Sequence, residues 1–197
     1  ARNAIFSGLL PSEMEKRHPN LWQNDDDEGG KNLNEEEFLQ EQLKRLRRDL
    51  KVSYNKVLTY DQGKELVENL HSLMKNQLNV MVYNFVDMLS HARTEMEMIR
   101  ELASDEKAYR SLTLSWCENS PLLEALKKIS QKNVRVIITT DHGTIRVKTP
   151  SKVIGDRNTN TNLGYKQGKN LAYEPKEVFL VKNPAEAFLP RVNVSQS

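Results

Sequence analysis

Two apolar runs of strand length, each ending in an aspartate, limit what this chain can fold into more than any other feature. The first, residues 79–86, reads Asn-Val-Met-Val-Tyr-Asn-Phe-Val and meets Asp87. The second, residues 134–140, reads Val-Arg-Val-Ile-Ile-Thr-Thr and meets Asp141, His142 and the turn-forming Gly143. Short β-branched runs with abrupt polar ends suit buried strands. Helical patterns lie between them, and strand, helices, strand is the rhythm of a crossover in a largely parallel sheet. The expected fold class is therefore α/β, a mostly parallel sheet flanked by helices.

In open sheets of this kind ligands bind outside the carboxyl ends of the strands. Asp87 and Asp141 would stand there, each with a histidine close by. His142 follows its aspartate directly. His91 lies four residues beyond Asp87, which puts the two on one side of a helical turn or together in a compact loop. A carboxylate beside a neutral imidazole is a ready ligand pair for a divalent metal such as zinc. The alternatives are a strand ending in an Asx turn, with His142 on the surface, and a structural His91.

The remaining chain sets the frame for these pairs. Its 197 residues allow one domain with a real core, or one domain and a small appendage. Hydrophobic residues at 38% and charged ones at 28% describe a polar globular protein. A net charge of +2 predicts no strong attraction to nucleic acid or an anionic membrane. The lone Cys117 excludes an internal disulfide and a cysteine-based metal site, and fits a reducing, cytosolic compartment. No apolar run has the length of a membrane span, and residues 1–11 lack the apolar centre of a signal peptide. Both ends look cut, as in an internal piece of a longer protein.

In chain order, residues 1–10 read as the tail of a helix broken by Gly8 and Pro11, and residues 12–31 as a polar, turn-rich loop. The acidic cluster at residues 25–28 lacks the ligand spacing of a calcium loop and reads as solvated surface. Asn34 can cap a helix with Glu35, Glu36 and Glu37 at its positive end and a basic far end. Residues 54–60, with the run Val57-Leu58-Thr59-Tyr60, form a weak strand candidate, followed by a helix over residues 62–77 on which His71 reads as a surface histidine. Two more helices are expected, over residues 104–116 and from Pro121, capped by Ser120, to Asn133. Beyond Gly143, residues 144–149 alternate as a half-exposed strand does, and residues 177–182 read as a last strand. Between them lies a long polar stretch, residues 151–174, carrying Arg157, Lys166 and Lys169. These cations suit an anion such as phosphate; a flexible solvated loop is the other reading.

Residues 84–91, Asn-Phe-Val-Asp-Met-Leu-Ser-His, and 140–143, Thr-Asp-His-Gly, resemble the two internal metal motifs of the PglZ domain, in the alkaline phosphatase superfamily. Residues 1–11 and the stretch from Gly155-Asp156-Arg157-Asn158 to Gly168-Lys169-Asn170 are similar to PglZ domains of two-component response regulators associated with type IX secretion. The motifs agree in order and spacing over essentially the whole chain.

The resemblance implies an alkaline-phosphatase-like fold with a polar cap or loop insertion. Residues 1–197 would be a partial domain, with the receiver domain and both domain ends absent. Two zinc ions are implied at the carboxyl ends of the sheet, one bound by Asp87 and His91 and the other by Asp141 and His142. A threonine nucleophile is expected upstream of Ala1, so this piece alone is expected to be inactive. Arg157, Lys166 and Lys169 are the implied substrate contacts, although Gly164 stands where a basic residue is expected.

The implied activity is hydrolysis of a phosphodiester or phosphomonoester, with nucleotides and oligonucleotides among the candidate substrates. Implied partners are a sensor histidine kinase and a sigma factor or secretion-system subunit. A homodimer is also compatible, and the location is cytoplasmic without membrane insertion. The competing expectation is a catalytically silent signalling module that binds a sigma factor or secretion-system subunit. A nucleotide-binding Rossmann-like domain is disfavoured by the absent glycine fingerprint.

Overall fold

The computed structural model describes residues 2–23, 33–143, 148–157, 159 and 164–188. Among these, the chain forms α1 (Arg2–Ser7), α2 (Pro11–Arg17), α3 (Glu35–Arg45), β1 (Val52–Val57), α4 (Tyr60–Leu73), β2 (Leu78–Tyr83), α5 (Phe85–Glu95), α6 (Glu97–Leu102), α7 (Glu106–Glu118) and α8 (Pro121–Ser130). A short 3-10 turn follows at Pro184–Ala187. None of the helices among the described residues is long and apolar enough to cross a membrane. The chain divides into two compact units, Leu43–Ile138 and Ala1–Gln42 with Thr139–Ser197.

The unit Leu43–Ile138 is built on a parallel pair of strands, with Val52 opposite Leu78 and Val57 opposite Tyr83. α4 makes the crossover. Its start is set by a capping box, in which Thr59 Oγ1 accepts from the Gln62 amide at 3.3 Å. In return Gln62 Oε1 accepts from the Thr59 amide at 3.2 Å, and from the Leu58 amide at 2.8 Å. The apolar face of α4 (Leu66, Val67 and Leu70) packs with Val57, Ala125 and Ile129 into the core. α8 reaches that core because Ser120 caps it, accepting from the Leu123 amide, and Pro121 occupies the first helical position. Gly63 lets the two helices approach: a methyl group there would stand 3.0 Å from the Pro121 ring.

In the unit Ala1–Gln42 with Thr139–Ser197, α1 stops at Gly8, whose φ of 61° suits a helix terminus without a side chain. α3 contributes the buried Phe38 and Leu39. Phe38 takes the edge of the His18 ring at 5.9 Å. Glu35 is not a solvated partner of the helix dipole. Its side chain is 2% exposed and meets Arg2 at 2.6 Å, a contact of charge that lacks the alignment of a hydrogen bond. Asn34 sits at the head of α3 and turns its amide to the Leu21 carbonyl at 2.9 Å.

Several sequence expectations are corrected here. The sheet is parallel and flanked by helices, but among the described residues it has two strands. β1 covers the first part of the strand expected at residues 54–60 and ends at Val57, because Thr59 is taken up as a helix cap. Residues 134–140 form no strand and are exposed throughout, Ile137 at 81% and Ile138 at 79%. β-Branched residues fit a pleated, half-buried surface, and among the described residues no strand pairs with this run to supply one. Residues 177–182 likewise stay outside any strand, with Glu177 in a turn and Phe179 93% exposed.

Part of the loop expected at residues 12–31 is helix α2. Pro11 opens that helix, and the Glu13 carboxylate accepts from the Leu10 amide at 3.2 Å. The acidic cluster at residues 25–28 and most of the strand expected at residues 144–149 lie outside the described residues.

Tyr83 ends β2 with its hydroxyl buried and without a hydrogen-bond partner among the described residues. Burial raises its pKa above the ordinary 10.0. Ionisation therefore favours the unfolded chain, and stability is lost as pH rises past that value. Tyr83→Phe keeps the ring and removes the orphaned hydroxyl. Urea unfolding at pH 7 is expected to show unchanged stability or a gain of about 1 kcal/mol, with a flatter decline above pH 10. A loss of more than about 1 kcal/mol would show that the hydroxyl is hydrogen-bonded after all.

Candidate metal centre

β2 hands the chain through Asn84 directly into α5, so Asp87 lies in the first turn of a helix that starts at the carboxyl end of a strand. An acidic side chain there is favoured by the helix dipole. The regular four-residue spacing brings His91 onto the same side. Asp87 Oδ1 and His91 Nε2 are 3.7 Å apart, with side chains 38% and 69% exposed respectively. Exposed pairs at this spacing stabilise a helix by only about 0.3–0.5 kcal/mol. Their contribution to folding is small.

Asp141 and His142 meet for a different reason. The strand expected over residues 134–140 stops short of both, so their pairing depends on how the backbone turns after Thr140. The backbone bends at Asp141. Thr140 Oγ1 donates to the His142 carbonyl at 2.7 Å, tightening the bend. Asp141 Oδ2 and His142 Nε2 then stand 3.8 Å apart, with side chains 24% and 57% exposed. The bend is what brings the pair together.

Each pair presents one carboxylate oxygen and one imidazole nitrogen. Ligand atoms about 2.0–2.2 Å from a tetrahedral zinc lie roughly 3.3–3.6 Å from one another. Separations of 3.7 and 3.8 Å are within a few tenths of an ångström of that span. The donor types and spacing fit two of the four ligands of such an ion at each pair. Among the described residues no group of three His, Cys, Asp or Glu side chains is assembled. Asp87 and His91 belong to the unit Leu43–Ile138, and Asp141 and His142 to the other.

The polar stretch from residue 151 is a closed loop where it is described. Ser151 Oγ donates to the Glu177 carboxylate. Ile154 and Ala172 exchange backbone hydrogen bonds of 2.9 and 2.8 Å in an antiparallel bridge. Inside that neck, Gly155 and Gly168 leave the room that Thr159 occupies, since a side chain on either would collide with it, and the Thr159 amide donates to the Asp156 carbonyl at 3.1 Å. The loop displays Arg157 and Lys169 exposed and Lys166 half-buried. Among the described residues neither Arg157 nor Lys169 is held by an ion pair. Sequence reasoning named these cations but not Thr159, whose only local signal is a threonine framed by two glycines.

The whole of this arrangement falls within one family match. Residues 1–190 match the family described as PglZ, "BREX system PglZ alkaline phosphatase-like domain". The chain belongs to the PglZ family. No curated protein matches it. This PglZ domain is thus alkaline-phosphatase-like, a mixed α/β structure whose parallel sheet is small among the described residues. Both Asp/His pairs and the loop with its three cations lie inside the matched span of the PglZ domain.

The loop neck generates a direct test. An alanine methyl at Gly155 would stand 2.0 Å from Thr159 Oγ1 and 2.8 Å from Leu171 Cδ2. Overpacking of this kind typically costs about 1–3 kcal/mol. Gly155→Ala is expected to open the neck, seen as faster hydrogen exchange at the Ile154 and Ala172 amides with the β1–β2 core unaffected. Unchanged protection of those two amides would contradict the closed loop.

Proposed function

We propose that this PglZ domain is a zinc-dependent phosphoesterase, the effector domain of a PorX-like two-component response regulator linked to type IX secretion. The observation that carries the reading is the pair of Asp/His contacts, 3.7 and 3.8 Å, within an alkaline-phosphatase-like family. Two zinc ions, one at Asp87 and His91 and one at Asp141 and His142, would supply Lewis-acid polarisation of a phosphoryl oxygen and charge stabilisation. The protein's own residues hold and orient the ester. Arg157 can fork onto two phosphoryl oxygens, while Lys166 and Lys169 act as point charges. The substrate class is a phosphodiester or phosphomonoester, with nucleotides and oligonucleotides included. None of the four metal-binding side chains is assigned as nucleophile. In this reading the domain is cytoplasmic and answers to a sensor histidine kinase.

A second reading is a catalytically silent signalling module that binds a sigma factor or a secretion-system subunit. It is favoured by one observation: α5 and α6 expose Met88, Met98 and Leu102, each more than half accessible. Methionine-rich surfaces adapt to partner helices.

Zinc content and hydrolysis of a chromogenic phosphodiester by the full-length protein separate the two. The phosphoesterase reading expects about two zinc ions per domain. It expects Asp87→Ala and Asp141→Ala each to lose one ion and to lower turnover by about 100-fold or more, since ligand removal disables the two-metal clamp. A protein that binds no zinc, hydrolyses nothing and keeps its partner after chelation would establish the silent module instead.

A further inference from the structure

The first turn of α5 carries Asp87, yet α5 itself does little to hold that turn in place. Asn84 occupies the cap position in helical backbone, φ −91° and ψ −1°, and its side chain makes no capping bond. None of the described α5 side chains is buried. The grip comes from α7. The Trp116 indole lies flat on the ring of Phe85, with centroids 4.1 Å apart and planes at 2°. Tyr83 meets the same indole edge-on at 6.4 Å and 68°. Two helical turns earlier on α7, the Tyr109 hydroxyl donates to the Val86 carbonyl at 3.3 Å. The Arg93 guanidinium lies over the Tyr109 ring, 5.4 Å from its centroid.

Trp116 and Tyr109 are seven residues apart and share one face of α7. Between them they hold α5 at Phe85 and Val86, just before Asp87, and at Arg93, just after His91. Asp87 and His91 both lie within the bracketed segment of α5. Trp116 is not one of the core side chains around Val57 and Ile129. Its ring contacts are with the end of β2 and the first residue of α5.

We propose that Trp116, assisted by Tyr109, is a positioning residue that fixes the helical turn presenting Asp87 and His91 to a metal ion. The inference rests on the reading of that pair as zinc ligands. Groups that orient metal ligands characteristically change metal affinity by about 10–100-fold when removed, and the stacked ring is such a group at one remove. Phenylalanine at position 116 can still stack on Phe85, so it preserves the role while changing the residue.

The test uses the full-length protein as wild type, Trp116→Ala, Trp116→Phe, Tyr109→Phe and Asp87→Ala. Zinc affinity is measured by competition with a chromogenic chelator, and hydrogen exchange is followed in the zinc-free protein. Trp116→Ala is expected to weaken one zinc site by about 10–100-fold and to speed exchange over residues 85–91. Amides of β1, β2, α4 and α8 keep their protection, and Trp116→Phe restores most of the affinity. A folded Trp116→Ala protein with wild-type affinity and exchange, while Asp87→Ala loses zinc, overturns the positioning role alone. Wild type and Asp87→Ala binding zinc alike, or not at all, overturns the metal reading and the positioning role with it. Should Trp116→Ala fail to fold, Tyr109→Phe decides, and unchanged affinity with unchanged exchange over residues 85–93 overturns the proposal.

Discussion

Parallel strands cannot be closed by a tight hairpin; they need a crossover of a dozen or more residues, and α4 is that crossover. The Val52–Leu78 to Val57–Tyr83 register is backed by a core in which the apolar face of α4 is buried with Val57 of β1 and with Ala125 and Ile129 of α8. Two devices set that packing. The Thr59–Gln62 capping box fixes where α4 begins, and Gly63 allows α4 to come close to Pro121. Since β2 ends at Tyr83 and α5 begins at Phe85, the same register decides where Asp87 leaves the sheet. The position of one Asp/His pair therefore descends from the core by way of a single strand.

The features legible in the chain were those set by neighbours a few residues apart. Ser120 and Pro121 announce α8 because an N-cap and a proline at the first turn are local devices, and α8 starts there. Asp87 and His91 pair as their spacing predicts, because four residues is one helical turn. Pro11 reads in the sequence as a helix breaker, but the same fixed φ and missing N–H that end one helix also suit the first turn of the next. The structure uses it to begin α2.

Features that depend on distant partners were not legible. The run at residues 134–140 has the composition of a strand, but composition cannot supply the neighbour a strand requires. Asp141 and His142 converge through a bend, so their adjacency in sequence predicted the pairing for a reason that differs from the one observed. The hold of Trp116 on Phe85 joins residues 31 positions apart through flat ring stacking, and nothing local to either residue signals it. The closed neck at Ile154 and Ala172 is of the same kind, turning a long polar stretch into a loop with a defined base.

A PglZ domain with two carboxylate–imidazole pairs raises one decisive structural question, which is whether these pairs bind zinc. Anomalous diffraction at the zinc edge from crystals of the full-length protein answers it most directly. One peak is expected about 2.0–2.2 Å from both the Asp87 carboxylate and the His91 imidazole, and a second at the same distances from Asp141 and His142. Zinc bound by other residues, with these four side chains uncoordinated, would contradict it.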